Sequence, residues 1–498
     1  MARLYIFAIG GTGSRVLKSL TMLLASGVKA NRGNYEIVPI IIDPHKGNDD
    51  LKRTVRIMDN YQKIASESNA ENGFFGTKIS TLEKIIASDE RLTDNFVFDI
   101  QEVSNTKFRD YIDFNQMDES NKALADLLFS GKSINKRQEK VNLLDIEMDI
   151  GFVGNPNVGS IVLDQFKDSY EFKEFANNFN DGDRIFIISS IFGGTGAAGF
   201  PTILKNIRNA RNVANLSSQG FLENAPIGAI TVLPYFNLET DDKSPVQRAD
   251  FISKTRSALY YYKESVNKKI NALYYIGDDF SGKAYKNDPG DGGQQNDAHF
   301  VELASAIAIL NFMEMQDNEL LCNNGKAINP VYKEFSILRN ADSICFSDLA
   351  AYTERKIGIH LAQLTMFKKF IDEQILSSID VAPWSTDAPQ IGRTFTDSTF
   401  YRTYLQEFLS AYTDWLNELG GNKRAFAPFN VTGEMETLLK DKKPASGFLS
   451  KKVNHAYLDS ELNKLSKGKT YASSQGKFLQ LFYVTTEKIL TEKYGMNK

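Results

Sequence analysis

Short, unbroken apolar runs alternate along this chain with polar stretches of helical period. The first run, Leu4-Tyr5-Ile6-Phe7-Ala8-Ile9, has the continuous apolar character of a strand buried on both faces. Leu17, Leu20 and Leu24 then recur at helical spacing, and a second run, Ile37 to Ile42, ends at Asp43-Pro44. Together these predict a βαβ unit. Residues 51–148 break the rhythm: they are polar, mixed in charge and mostly helical in pattern, with a candidate strand at Phe96-Val97-Phe98, and read as an insertion. The alternation resumes near residue 150. Strands are predicted at Ile185–Ile188, Ile230–Leu233 and Leu273–Ile276. Helices are predicted through Val162 and Phe166, through Ile203, Leu204 and Ile207 with Pro201 in the first turn, and through Ile252 and Leu259. A polar, Gly-rich segment, Gly282 to Asn296, precedes a long helix carrying Phe300, Leu303, Ile307, Leu310 and Phe312. From about residue 331 onward helical patterns dominate, clearest over Ile357–Leu376, Phe400–Leu419 and Phe478–Tyr494. No repeat of fixed period is visible.

The chain has 498 residues, enough for about two or three domains, and its 42% hydrophobic and 24% charged residues are those of an ordinary globular protein. A net charge of -4 gives no global basic field, so nucleic acid is not an expected partner. Cys322 and Cys345 make neither a disulfide framework nor a zinc-site spacing, which fits a reducing cytoplasm. His45, His299, His360 and His455 are too scattered to form a metal cluster. No run is apolar and long enough to span a bilayer, and the first residues lack the layout of an export signal, so a cytoplasmic protein without a membrane partner is expected. Lys440, Lys442, Lys443, Lys451, Lys452, Lys464, Lys467 and Lys469 make a locally basic stretch with few interleaved aromatics, which reads as a solvated face.

Chemistry enters with the glycines. Gly10-Gly11-Thr12-Gly13-Ser14 follows the first apolar run, and Gly193-Gly194-Thr195-Gly196-Ala197-Ala198-Gly199 follows the Ile185–Ile188 run. A Gly-rich link from strand to helix lets several backbone N–H groups approach an anion at a helix N-terminus, and Thr12, Ser14 and Thr195 add hydroxyls. Each link alone also reads as a tight connection. Neither ends in the Gly-Lys-Ser/Thr of a P-loop, and the first lacks the third glycine of a dinucleotide fingerprint, although Asp43 stands where a ribose-binding carboxylate would. A dinucleotide-dependent enzyme built on the N-terminal βαβ unit is the alternative reading, and it leaves the second glycine segment without a role.

The second segment, Gly193 to Pro201, resembles the phosphate loop of the tubulin/FtsZ superfamily, departing from it at Ala198, where that pattern has glycine. Gly10 to Ser14 is similar to the family's first nucleotide loop. Gly154-Asn155-Pro156-Asn157-Val158-Gly159 resembles its third, and Ile276-Gly277-Asp278-Asp279 matches the strand end ahead of its central helix. The motif order covers about residues 1–315 apart from the insertion, and looks closest to the divergent bacterial tubulin-like proteins. The resemblance implies an α/β fold: a Rossmann-like GTPase domain over residues 1–50 and 149–315, a helical insertion over 51–148 and a mostly helical C-terminal region over 316–498.

The resemblance also implies roles. Gly10, Gly11, Thr12, Gly13, Ser14 and Arg15 would line the α- and β-phosphates of GTP or GDP. Asp43 would stand near Mg²⁺ or its waters, and Gly154 and Asn155 near the γ-phosphate. Gly193, Gly194, Thr195, Gly196, Ala197 and Ala198 would cradle the phosphates. Glu239 would contact the ribose, Asp278 and Glu302 would read the base edge, and Phe300 would stack on the base. The residues themselves allow plainer readings: Asp43 as the cap of a turn before Pro44, Phe300 as core, and His299 and Glu302 as surface residues. The family hydrolyses GTP through an acidic loop that follows the central helix and reaches the next subunit. Met315-Gln316-Asp317-Asn318-Glu319 is acidic but lacks that pattern, so Asp317 and Glu319 read better as a helix end and no catalytic residue is assigned. Two classes of function follow. One is a polymer-forming GTPase that self-associates into filaments or oligomers. The other is a nucleotide-responsive scaffold whose C-terminal helices bind a protein partner.

Overall fold

Five of the six strands of the main sheet are the apolar runs of the sequence. The structure, a computed structural model, describes residues 1–30, 34–69, 72–86, 94–135, 139–212, 219–235, 237–238, 248–278, 284–285, 296–334, 343–445 and 451–497. In chain order the elements that matter here are β1 (Ala2–Ile9), α1 (Gly10–Ala25), β2 (Tyr35–Ile42), α2 (Asp49–Ser68), α3 (Pro156–Asp164), β3 (Arg184–Ser190) and α4 (Gly194–Arg208). They continue with β4 (Ile227–Val232), α5 (Arg248–Ser265), β5 (Ala272–Ile276), α6 (Phe300–Glu314) and β6 (Val331–Glu334). Four longer helices follow: α7 (Ala351–Glu373), α8 (Gln406–Gly421), α9 (His455–Ser466) and α10 (Ser474–Tyr494).

The strand order is β2-β1-β3-β4-β5-β6, and every neighbouring pair is parallel. This is an α/β, Rossmann-like arrangement. β1 to β5 are largely apolar because helices cover both faces of a parallel sheet: β3 is buried along its whole length, and in β1 Phe7 is in register with Ile40 of β2 and Ile187 of β3. The open edge of β2 is closed by two extended segments. Ile37 exchanges backbone hydrogen bonds with Lys78 and Ser80, and Ile41 with Phe96 and Phe98. The predicted strand at Phe96–Phe98 is thus a short bridge on the sheet edge.

Several elements differ from expectation. The glycine segments are not free loops: α1 begins at Gly10 and α4 at Gly194, so the glycines form the first helical turns. Pro201 consequently lies in the interior of α4 rather than in its first turn. Residue 51 falls inside α2, which packs on α1 and on α8 and α10, so this helix is part of the main body rather than of an insertion. Val331–Glu334, expected in a helical region, is the sixth strand.

Helix α6 is apolar almost all round, and from Val301 to Met313 only Asn311 escapes burial. Such a helix is enclosed on all sides. It lies against α1, β4 and β5, with the Phe312 ring against Phe186 of β3. The C-terminal helices join the same core: Phe367 of α7 stacks on Phe74 at 5.2 Å, Phe408 of α8 packs on Phe75, and the Trp415 indole N–H donates to Ser19 of α1 at 3.2 Å. Among the described residues no helix is long and apolar enough to cross a membrane.

Candidate anion site at the switch point of the sheet

The strand order reverses between β1 and β3. The chain leaves β1 toward β2 on one side and leaves β3 toward β4 on the other. In open parallel sheets the crevice beyond the carboxyl ends of the strands at such a reversal is where ligands bind. Both glycine segments stand there, one at the end of each of these adjacent strands.

The backbone closes around that crevice. A Cβ added to Gly10 would lie 3.5 Å from Thr195 Cβ and 3.7 Å from Gly196 N, so the two segments touch. A Cβ on Gly194 would lie 2.8 Å from Gly154 N and 3.1 Å from Asn155 N, which brings the third segment against the second. Gly10 and Gly154 both have φ of +70°, a conformation only glycine adopts without strain. Three helix starts therefore meet, those of α1, α3 and α4. In each, the N-cap residue, Ile9, Asn155 or Gly193, makes no side-chain capping hydrogen bond. Elsewhere α2, α9 and α10 are capped by Asn48, Asn454 and Ser473, while α7 and α8 also start without a side-chain cap, so it is the convergence of the three starts that sets them apart. Uncapped N–H groups at three converging positive dipole ends have the chemistry that an anion favours, which makes this crevice the candidate site. Gly11, Gly154, Asn155, Gly193 and Thr195 are the half-exposed members that face solvent, whereas Thr12, Gly13, Ser14, Gly196, Ala197 and Ala198 are buried beneath them. The fully buried Ser14 hydroxyl has no hydrogen-bond partner among the described residues.

Two of the residues expected at the ligand have their side chains engaged in the frame. The Asn155 amide donates to the Phe152 and Val153 carbonyls (3.0 and 2.9 Å) and to Ser133 Oγ, so it shapes its own turn. Arg15 is buried behind Gly11. Its guanidinium donates to Glu302 Oε1 (2.7 Å), Tyr235 OH (2.9 Å), Asp50 Oδ2 (3.3 Å) and Thr12 Oγ1 (3.4 Å). Glu302 is fully buried rather than solvated. Burial alone would raise its carboxyl, but Arg15 and Lys18 outweigh that and hold it below its ordinary value. His299 is likewise not a surface residue: it is the N-cap of α6, its Nδ1 accepts the Val301 N–H, and burial lowers its pKa.

The remaining residues fall into separate places. Asp43 is buried at the end of β2, with Oδ1 accepting the His45 N–H at 3.0 Å, and burial pushes its carboxyl up to about 6. Asp278 is held by Arg424, whose Nε lies 2.8 Å from both carboxylate oxygens, with His299 Nε2 3.8 Å away. Phe300 packs on Phe426 at 5.9 Å. Glu239 lies outside the described residues. Asp317 pairs with Arg184 at the start of β3, the opposite end of the sheet from the crevice, and Glu319 accepts the Gln316 N–H.

Among the described residues no group of three or more His, Cys, Asp or Glu side chains is placed to hold a metal ion. A single carboxylate such as Asp43 suits Mg²⁺ only when phosphates and waters complete its shell.

Reading the sequence alone missed two neighbours of the crevice. Asn48 caps α2, and its Nδ2 lies 4.0 Å from where a Gly11 Cβ would stand; the Asn-Asp-Asp run is a legible cap signal. Lys254 of α5 donates to the Gly154 carbonyl at 2.8 Å, across a hundred residues of sequence, and no local pattern announces it.

No family model and no curated protein matches the chain. A solved structure similar to part of it is CetZ from Methanosaeta thermophila strain DSM 6194, at 13% sequence identity and a TM-score of 0.27. The match covers 63% of this chain and 52% of that one, so the chain spans about half the length of that structure. A likeness of that extent does not assign a fold or an activity.

Proposed function

We propose that the chain binds a nucleoside triphosphate in the tubulin/FtsZ manner, with GTP as the ligand and Mg²⁺ held between its phosphates and Asp43. The observation that carries this reading is the meeting of three uncapped, glycine-built helix starts at the β1/β3 reversal. In this reading Gly10 and Gly11 meet the inner phosphates, Gly193 to Gly196 wrap them with backbone N–H groups, and Gly154 and Asn155 face the terminal one. The residues fit the group: a side chain at Gly194 would fill the space between the second and third segments, and the Ser14 hydroxyl is left for a partner. Mg²⁺ would offset phosphate charge, and it would also remove the cost of keeping Asp43 ionised in a buried position.

Arg15 does not add net charge to the cradle, because Glu302 and Asp50 match it. Its role in this reading is to fix the floor under Gly11 and to tie α1 to α2 and α6. Phosphoryl transfer needs a group that orients the attacking water. Asp317 and Glu319 lie at the far end of the sheet, where only the crevice of a neighbouring copy could use them, and there Asp317 is paired with Arg184 and Glu319 with the Gln316 N–H. Because both are engaged in the frame, we favour a nucleotide-responsive scaffold with negligible turnover as an isolated chain, its C-terminal helices offering the partner surface, over a polymer-forming GTPase. Calorimetry with GTP and GDP on ligand-stripped protein tests the binding; phosphate release and light scattering with GTP test the choice between the two classes. No binding of guanine nucleotide refutes the proposal, and filaments with rapid phosphate release favour the polymer. The dinucleotide alternative is disfavoured because the second segment would have no ligand.

A further inference from the structure

The third segment of the cradle is met by a cation from a helix a hundred residues further along the chain. Lys254 stands on α5, and its Nζ donates to the Gly154 carbonyl at 2.8 Å. Among the described residues it has no carboxylate partner, so a half-buried positive charge rests on a neutral oxygen. Its position is built rather than incidental. Tyr262 lies eight residues further along α5, on the same helical face, and its buried ring packs edge-on against Phe200 of α4 at 5.2 Å. Phe200 follows the cradle residues Ala197 and Ala198 within the same helix. The helix that carries the glycine cradle therefore seats the helix that carries Lys254, and directs the ammonium to the one segment that would face a terminal phosphate.

We propose that Lys254 is the residue by which this site distinguishes a nucleoside triphosphate from the diphosphate, its ammonium exchanging the Gly154 carbonyl for a terminal phosphate oxygen. The inference rests on the nucleotide reading above and adds to it which phosphate is recognised by charge. A charge-assisted bond to phosphate is stronger than one to a backbone carbonyl, so the exchange favours the ligand that carries the extra phosphate. A diphosphate, ending short of the third segment, leaves Lys254 where it is. Because α5 joins β4 to β5, the exchange also gives the chain a way to register which ligand is bound.

The test is calorimetric titration of stripped, full-length protein with GTP and with GDP, each with Mg²⁺, for the wild type, Lys254→Met and Lys254→Arg. Thermal melting of each variant establishes that it folds. Lys254→Met is expected to weaken GTP about 10- to 100-fold, to leave GDP within about twofold, and to be partly rescued by Lys254→Arg. Equal losses for both nucleotides, or no loss for either, overturn the role of Lys254 while leaving the nucleotide reading intact. A wild type that binds neither nucleotide overturns both.

Discussion

Replacing Asp43 by asparagine should stabilise the nucleotide-free protein at neutral pH. The carboxyl is buried, with one oxygen satisfied by the His45 N–H, and burial raises its pKa from 3.8 to about 6. Between those values the folded protein holds a proton that the unfolded chain has released. Asp43 therefore favours folding most below about pH 4, that contribution is lost as the pH rises through about 6, and above it the folded state carries a constant cost. At about 1.4 kcal/mol for each tenfold change in proton affinity, the rise from 3.8 to about 6 puts the cost at ~3 kcal/mol. Asparagine keeps the acceptor for His45 and never ionises. For a chain of 498 residues unfolding as one unit, the entropy of unfolding is about 1 kcal/mol per degree, so the variant should melt about 3 °C higher at pH 7.5. The gap should close toward pH 4. Saturating Mg²⁺ and GTP should reverse it, because a cation at Asp43 stabilises only the wild type. Melting curves from pH 4 to 8, with and without ligand, check this. A variant that melts with the wild type at pH 7.5, or a gap that persists at pH 4, refutes the reasoning.

Other substitutions probe the frame. Arg15→Met should cost about 3–5 kcal/mol, since it removes the ion-pair partner of the buried Glu302 while Asp50 keeps Arg53, and Glu302→Gln added to it should recover part of the loss; chemical denaturation of the single and double variants measures this. Gly196→Ala would set a Cβ 2.7 Å from the Ser190 carbonyl oxygen, so it should cost about 1–3 kcal/mol and weaken nucleotide binding at least tenfold, read by melting and calorimetry. Arg424→Ala should release Asp278 and loosen the contact between the end of β5 and the C-terminal region; faster limited proteolysis near residue 424 with an unchanged sheet core by hydrogen exchange is the expected result.

The strands were legible because a strand buried on both faces must be apolar along its length, as Leu4–Ile9 and Ile185–Ile188 are. The same rule hid β6: Val331-Tyr332-Lys333-Glu334 is an edge strand, half exposed, and carries no such run. The glycine segments were legible as links from strand to helix, but not as the first turns of α1 and α4, since glycine is a poor helix former; the +70° φ of Gly10 and the close approach of Gly13 to Ala8, of Gly194 to Gly154 and of Gly196 to Ser190 account for them there. Burial was the least legible property of the site. Arg15 and Glu302 lie 287 residues apart and Lys254 and Gly154 lie 100 apart, so no local spacing pairs them. Residue 51 marked a change of pattern that is not a boundary, because α2 finds its apolar partners in α8 and α10, more than 300 residues downstream.

The most direct test of the central claim is calorimetric titration of ligand-stripped protein with Mg²⁺ and GTP, run beside Gly194→Ala, which would set a Cβ 2.8 Å from Gly154 N between the second and third segments. The account predicts saturable binding of one nucleotide per chain that the variant weakens at least tenfold while still folding. Absence of binding by the wild type, or equal binding by a folded Gly194→Ala, would contradict it.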